Sequence, residues 1–399
     1  MRLGVRKETF TGERRVALVP AVVPSLVKAG MEVVLEGGAG EAAGYSDAAY
    51  AEHGVHAVGR ADVFAQADIL VHVRAAGADP KGSASDLPLY RPGQVVVGFL
   101  EPLGAPEAVA RLAKCGVTAF ALELLPRITR AQPMDALTSQ ATVVGYKAVL
   151  LAAEALPKMF PMLMTAAGTI TPARVLVVGA GVAGLQAIAV ARRLGAVVQA
   201  YDVRPVVKEQ VQSLGAKFVE LPLEAGQADD RSGYAKAMDE DYYRRQRELL
   251  AQVVADSDVV ITTAMVPGQR APVLVTAGMA GGMKRGSVIV DLAADRGGNC
   301  ELTRPGETTE VNGVRVIGPL NLAATVPYDA SQMYARNVTA FVLNLVRKGE
   351  LKVDVADEIV RETLVAQDGE VVHPRLRGLL GLQPLSSTHV GQAAEGRTA

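Results

Sequence analysis

The stretch Val175-Leu176-Val177-Val178-Gly179-Ala180-Gly181-Val182-Ala183-Gly184-Leu185-Gln186-Ala187-Ile188 decides the fold. Four consecutive apolar residues make a buried strand, three glycines spaced Gly-x-Gly-x-x-Gly make a tight turn, and the apolar run beyond them has helical composition. Each glycine has its own role. Gly179 turns the chain, Gly181 lets backbone approach a pyrophosphate, and Gly184 lets the helix lie close to the strand. The helix amino terminus, with the free N–H groups of Val182 and Ala183 and the positive end of the dipole, is suited to phosphate. A second strand, Val197–Tyr201, runs into Asp202. A carboxylate there accepts hydrogen bonds from both hydroxyls of an adenosine ribose and repels a 2′-phosphate. A turn used for packing alone accounts for the glycines but not for the acid at the end of the next strand. The pattern predicts a dinucleotide-binding unit that prefers NAD(H) to NADP(H), with Arg204 placed to soften that exclusion.

Outward from this motif, short apolar runs alternate with helical stretches along most of the chain. The first block has strands at Leu3–Val5, Glu32–Leu35, Ile69–Val73, Val95–Phe99 and Val117–Ala121, with helices such as Pro20–Ala29 and Pro106–Cys115 between them. The second continues from Val175–Val178 through Val197–Tyr201, Lys217–Glu220, Val259–Thr262, Val288–Leu292 and Val314–Ile317. Parallel strands need crossover connections and helices are the usual ones, so the expected fold is α/β: two doubly wound, parallel-sheet, Rossmann-like domains with a cofactor cleft between them. A helix over Pro133–Leu156 is expected to join them, and a second over Ser331–Arg347 to return to the first. The expected domains are 1–132 with 331–383, then 133–330 including the linking helix, and a flexible tail over 384–399.

Composition narrows the function classes. The 399 residues carry 41 basic and 42 acidic side chains, a net charge of −1, which supplies no field for nucleic acid. Aromatics are 4% with no Trp, which leaves little material for base stacking. The two cysteines, Cys115 and Cys300, form no CxxC pair, and charges at Arg2, Arg6 and Lys7 precede any apolar run long enough for a signal peptide, so a cytoplasmic chain is expected. The stretch Met159–Ala191 imitates a membrane span in composition, but Pro161, Pro172 and its glycines break it, and it is expected to be a buried strand and helix. The five histidines show no ligand spacing, so no metal site is expected; His72, in an apolar strand, is expected to be a satisfied core residue.

A second polar cluster lies just before the linking helix, over Leu125–Gln140, with Arg127, Arg130, Gln132, Asp135 and Thr138. Helix capping explains some of it, with Gln132 as cap and Pro133 as first helical residue. Its position at the junction of two α/β domains also suits the nicotinamide end of a cofactor. With Gly145-Tyr146 after it, the cluster resembles the Arg-Gln-Asp loop of the NAD(H)-binding component of proton-translocating nicotinamide nucleotide transhydrogenases. The likeness runs along nearly the whole chain, through Arg6-Lys7-Glu8, Glu13 to Pro20, Tyr201 to Pro205, Gly233 to Met238, Thr262 to Gly268 and Gly297 to Cys300.

The resemblance implies an oxidoreductase that transfers hydride directly between its own NAD(H) and NADP(H) held on a partner subunit, coupled to proton translocation. It implies that Arg127 bonds the nicotinamide carboxamide, that Asp135 orients Arg127, and that Gln132 reaches toward both rings. Thr138 stands where the family usually has Ser and keeps a hydroxyl. Tyr146 would help hold the ring, Tyr234 and Met238 would belong to a loop that closes over nucleotide, and Val203 and Ala264 would join Gly179, Gly181 and Asp202 among its contacts. The implied partners are a membrane-spanning subunit and an NADP(H)-binding subunit on separate chains, with a homodimer of this chain peripheral on the cytoplasmic face of the inner (plasma) membrane. Two alternatives stand beside this reading. An alanine dehydrogenase-like enzyme shares the early Arg-Val-Ala-Leu motif, but that family uses a Lys and a His where this chain has Arg74 and Glu101, a poor pair for moving protons on a 2-oxo acid. A non-catalytic NAD-binding regulator would bind nucleotide without transferring hydride.

Overall fold

The computed structural model describes residues 1–220, 240–266, 268–347 and 349–385. The chain forms two compact units, one of residues 1–140 with 324 onward and the other of Ala141–Ala323. The expected borders at 132/133 and 330/331 lie a few residues away, because side chains of the first unit hold the start of the linking helix. Asn337 donates to the carbonyl of Pro133 at 2.8 Å, and Gln140 donates to the carbonyl of Ala330 at 3.0 Å.

In the first unit six parallel strands, β1 (Arg2–Val5), β2 (Glu32–Glu36), β3 (His56–Val58), β4 (Ile69–Arg74), β5 (Val95–Phe99) and β6 (Thr118–Ala121), lie in the order β6-β5-β4-β1-β2-β3. An antiparallel pair, Leu364–Gln367 and Glu370–Val371, extends the sheet beyond β6 and adds to the strands expected from the sequence. Its turn is Asp368-Gly369 with φ +51° and +88°, the left-handed geometry of a tight hairpin. The helix Pro327–Leu345 buries Tyr334, Val338, Phe341 and Leu345 in the same core as Leu3, Val5, Val71 and Phe120. Its apolar residues recur every three or four positions, and it packs in the first unit as expected.

The strand order reverses between β1 and β4, and their carboxyl ends are filled with ionic side chains. Arg6, fully buried, donates from Nε to His72 Nδ1 at 2.7 Å and from Nη2 to the carbonyl of Arg74 at 2.7 Å, with Asp86 3.2 Å from its Nε. Glu8 accepts the N–H groups of Val73 and Arg74. Glu13 accepts from Arg15 at 2.6 and 2.8 Å and from Arg74 at 3.1 Å. Burial alone would raise the Glu13 pKa, but Arg15 and Arg74 hold it down at about 2. His72 is the core histidine the sequence suggests.

In the second unit β9 (Arg174–Val178), β10 (Val197–Tyr201), β11 (Lys217–Phe218), β12 (Val259–Thr262), β13 (Val288–Asp291) and β15 (Val314–Ile317) run parallel in the order β11-β10-β9-β12-β13-β15, and β14 (Thr308–Val311) pairs antiparallel outside β15. The order reverses between β9 and β12, the winding of dinucleotide-binding sheets. The expectation for Met159–Ala191 is corrected over its first half. From Arg174 onward it is a strand and helix, but β7 (Leu163–Thr165) and β8 (Gly168–Ile170) form an exposed hairpin, with Met162 57% and Met164 72% exposed. Apolar composition alone misleads here, because a short two-stranded ribbon has no second layer to bury it.

At the end of β5 the Glu123 carboxylate, wholly buried, accepts the N–H groups of Leu100 and Glu101 at 2.8 and 2.6 Å, and Glu101 sits in the left-handed region at φ +54°. Glu123 Oε2 meets no hydrogen-bond partner among the described residues, and burial, with the nearby Glu101 charge, lifts the group to about 8. Its folded pKa lies above its unfolded one. The stability it contributes is therefore complete below pH about 4.5 and is lost as pH rises toward about 8, on the order of a few kcal/mol in total. Glu123→Gln, which keeps an acceptor for the two N–H groups, should flatten that loss in urea denaturation compared at pH about 5 and about 9; an unchanged slope would exclude Glu123 as its source.

Candidate nucleotide site

The turn after β9 is shaped by contacts that only glycine permits. Gly179 has φ +98°, and a Cβ there would lie 2.5 Å from Thr263 Oγ1. A Cβ on Gly184 would lie 1.9 Å from the carbonyl oxygen of Gly179, so the helix Val182–Arg193 comes against the strand with no room for a methyl. Gly181, the residue before the helix, is extended, and a Cβ on it would meet nothing within 4 Å. The first N–H groups of the helix, Val182, Ala183 and Gly184, precede its hydrogen-bonded ladder, and Arg192 and Arg193 complement the dipole at its far end. The linking helix Ala136–Ala155 is held here too, since a Cβ on Gly145 would lie 2.2 Å from the carbonyl oxygen of Ala183.

Asp202 is buried beside this turn. Its Oδ2 accepts the N–H of Ala180 at 2.7 Å, and its Oδ1 accepts both the backbone N–H and the Nε of Arg204 at 2.9 Å. The expected acid thus faces the glycine turn, with an arginine laid along it. Val203 beside it packs on the core around Tyr201 and Val260.

A second loop completes this end of the sheet through residues to which the sequence assigns no role. Thr263 Oγ1 donates to the carbonyl of Gly179 at 3.0 Å. Asn299, wholly buried, accepts the N–H of Ala264 at 2.9 Å and donates to the carbonyls of Ala264 and Pro272, each at 2.8 Å. Asp291 receives Thr262 Oγ1, Thr303 Oγ1 and the N–H groups of Ala293 and Cys300. Gly297 and Gly298, at φ +94° and +81°, bring Asn299 round to meet Ala264. The Gly-Gly-Asn motif is visible in the sequence; what it holds is not.

In the first unit the polar cluster forms a 3-10 turn, Thr129–Met134, followed by the helix from Ala136. This corrects the expected start at Pro133 and the expected cap at Gln132. The cap is Asp135, whose two oxygens accept the N–H of Thr138 at 2.8 Å and its hydroxyl at 2.6 Å. Arg130 is paired with Asp357, while Arg127 and Gln132 are exposed. Tyr146, on the linking helix within the second unit, is 40% exposed. Tyr234 and Met238 lie outside the described residues. The structure thus gathers Gly179, Gly181, Val182, Ala183, Gly184, Asp202 and Ala264 at one end of the second sheet, and Arg127, Gln132, Asp135 and Thr138 in one loop of the first unit.

A doubly wound sheet with a glycine turn at its reversal point and an acid beyond the next strand defines a nicotinamide-nucleotide-binding protein. The family descriptions "Alanine dehydrogenase/PNT, N-terminal domain" and "Alanine dehydrogenase/PNT, C-terminal domain" match residues 4–144 and 148–374, and the chain belongs to that family. It is 45% identical to the first portion of the NAD(P) transhydrogenase alpha subunit of Rhodospirillum rubrum, a separate chain there, over 95% of this chain and 99% of that one. A transhydrogenase structure from Sinorhizobium meliloti superposes with a TM-score of 0.83 at 44% identity, covering 93% of this chain and 100% of the other. The alanine dehydrogenase of Mycobacterium tuberculosis is more distant, 30% identical over 96% of this chain and 97% of its own.

Asn299→Ala would leave the N–H and carbonyl of Ala264 and the carbonyl of Pro272 without their partner, a loss of roughly 1–3 kcal/mol. We expect a lower melting temperature together with weaker NADH binding, read by thermal denaturation and fluorescence titration. Weaker stability with unaltered affinity would make Asn299 a packing residue only.

Proposed function

We propose that this chain carries the NAD(H) half of a proton-translocating transhydrogenase, passing hydride between its own nucleotide and NADP(H) held on a partner subunit. The chain is an oxidoreductase of the transhydrogenase type. The observation that carries the finer reading is the buried Asp202 carboxylate bonded to the glycine turn at Ala180, which suits a ribose with two free hydroxyls better than one bearing a 2′-phosphate. Gly181 open on its Cβ side and the free N–H groups of Val182 and Ala183 fit a pyrophosphate.

When the nucleotides are bound, hydride leaves C4 of the dihydronicotinamide of NADH for C4 of the nicotinamide of NADP⁺, and no substrate proton is exchanged. The protein therefore needs no general acid or base at that step; its role is orientation. Asp135 and Thr138 brace the loop through two hydrogen bonds, and Arg127 and Gln132 project from it with side chains suited to a carboxamide. Arg74 and Glu101 bear on the alanine dehydrogenase alternative. Arg74 is bonded to Glu13 and lies 4.4 Å over the Phe10 ring, and a guanidinium keeps its proton at any working pH. Glu101 is held at its backbone by Glu123. Neither replaces an acid/base pair for a 2-oxo acid.

The names of the transhydrogenase relatives, as subunits, support partner chains. The membrane-spanning and NADP(H)-binding subunits, and attachment through them to the cytoplasmic face of the inner membrane, belong to the proposal. The homodimer in this reading is supported by the apolar hairpin β7–β8, a surface suited to a second copy of the chain. Met164→Glu with Leu163→Glu should shift sedimentation velocity from dimer to monomer; a dimer undisturbed by both charges would place the contact elsewhere.

The deciding experiment mixes the purified chain with its NADP(H)-binding partner, NADPH and an optically distinct NAD⁺ analogue, omitting each component in turn. Reduction of the analogue should require both proteins. Turnover by this chain alone with pyruvate, ammonia and NADH would replace the reading with alanine dehydrogenase; binding of NADH without turnover in either assay would make it a regulator. In the complete system Gln132→Asn should lower kcat by at least about tenfold with little change in NADH affinity. The opposite split would make Gln132 a binding residue.

A further inference from the structure

Arg204 is laid along the carboxylate of Asp202 as a fork. Its Nε lies 2.9 Å from Oδ1 and its Nη2 3.0 Å from Oδ2, and the two side chains are only 12% and 5% exposed. The backbone N–H of Arg204 also donates to Oδ1, so the loop after β10 fixes the cation two residues from the acid. The N–H of Ala180 binds Oδ2 from the other side, so the pair sits against the turn that would take the pyrophosphate. A guanidinium fork matches a phosphate as well as it matches a carboxylate, and at a shielded site its charge is worth more than at an open surface.

We propose that Arg204 is a specificity-determining residue: a cation matched to a 2′-phosphate, which Asp202 keeps engaged and so withholds from NADP(H). The proposal rests on the reading of this turn as an NAD(H) site and goes beyond it. Asp202 then discriminates in two ways, by repelling a 2′-phosphate with its own charge and by occupying the group that would otherwise bind one. When residue 202 is neutral the guanidinium is released a hydrogen-bond length from the position of the ribose 2′-oxygen, and preference passes to the phosphorylated nucleotide.

The test uses the full-length chain and equilibrium titrations with NADH, NADPH, 5′-ADP and 2′,5′-ADP, the last two isolating the adenosine end. Asp202→Asn keeps an acceptor for the Ala180 N–H; Asp202→Ser provides a second neutral variant should the first unfold, with circular dichroism and melting temperature as checks. We expect either variant to bind 2′,5′-ADP and NADPH at least about tenfold more tightly than the unaltered chain, a gain suited to one charge-assisted contact. The gain should shrink as ionic strength rises. In Asp202→Asn combined with Arg204→Leu it should vanish. A gain that persists in the double variant, or no gain in well-folded single variants that still bind 5′-ADP, overturns the role of Arg204. Failure of the unaltered chain to bind NADH would instead remove the NAD(H) reading, and the inference with it, so the two failures are told apart by the first titration.

Discussion

The close approach of two pieces of backbone governs the second unit. The helix after β9 lies so near the strand that the carbonyl oxygen of Gly179 occupies the space a methyl on Gly184 would need. From that approach follow the direction of the helix dipole, the exposure of its first N–H groups and the position of Ala180 against Asp202. Thr263 closes the same corner from the neighbouring strand, and Asn299 holds the loop beyond Thr263. The Gly145 contact with Ala183 adds the linking helix to the same corner, so several distant segments are referred to one turn.

The two units share a winding but use their reversal points differently. Between β9 and β12 the crevice is bounded by glycines and backbone N–H groups. Between β1 and β4 it is filled by Arg6, Glu8, Glu13, Arg15 and Arg74, which satisfy one another. Buried ions of this kind contribute little net stability when complete and cost much when one partner is lost. Their effect is to close that crevice and to hold the loops after β1 and β4 in one arrangement.

Much of this was legible in the sequence, and the misses have physical reasons. Strands buried on both faces, such as Val175–Val178 and Val259–Thr262, announce themselves as unbroken apolar runs. The edge strand β3 carries His56 and is largely exposed, so it leaves no such mark. The hairpin at Asp368-Gly369 carries a recognisable turn pair, but its strands are only 4 and 2 residues long and give no periodic signal beside longer elements. Helix composition begins at Pro133, but a carboxylate that receives Thr138 moves the true start to Ala136. The Asp202 position follows from spacing, whereas its embrace by Arg204 depends on side-chain conformation, which spacing does not encode. Asn299 is a similar case, since its partners lie 27 and 35 residues away.

The first unit is assembled from both ends of the chain. Its sheet needs Leu364–Gln367 to pair with β6, and its core needs Tyr334, Val338 and Phe341 from the helix Pro327–Leu345. During synthesis the amino-terminal strands therefore leave the ribosome with an open apolar face and an unpaired β6, and they stay so until the whole of Ala141–Ala323 has been made. The second unit, contiguous in sequence, can complete itself first. Translation thus imposes a fixed order of maturation, in which the nucleotide turn is finished while the amino-terminal segment still depends on chaperones for its solubility.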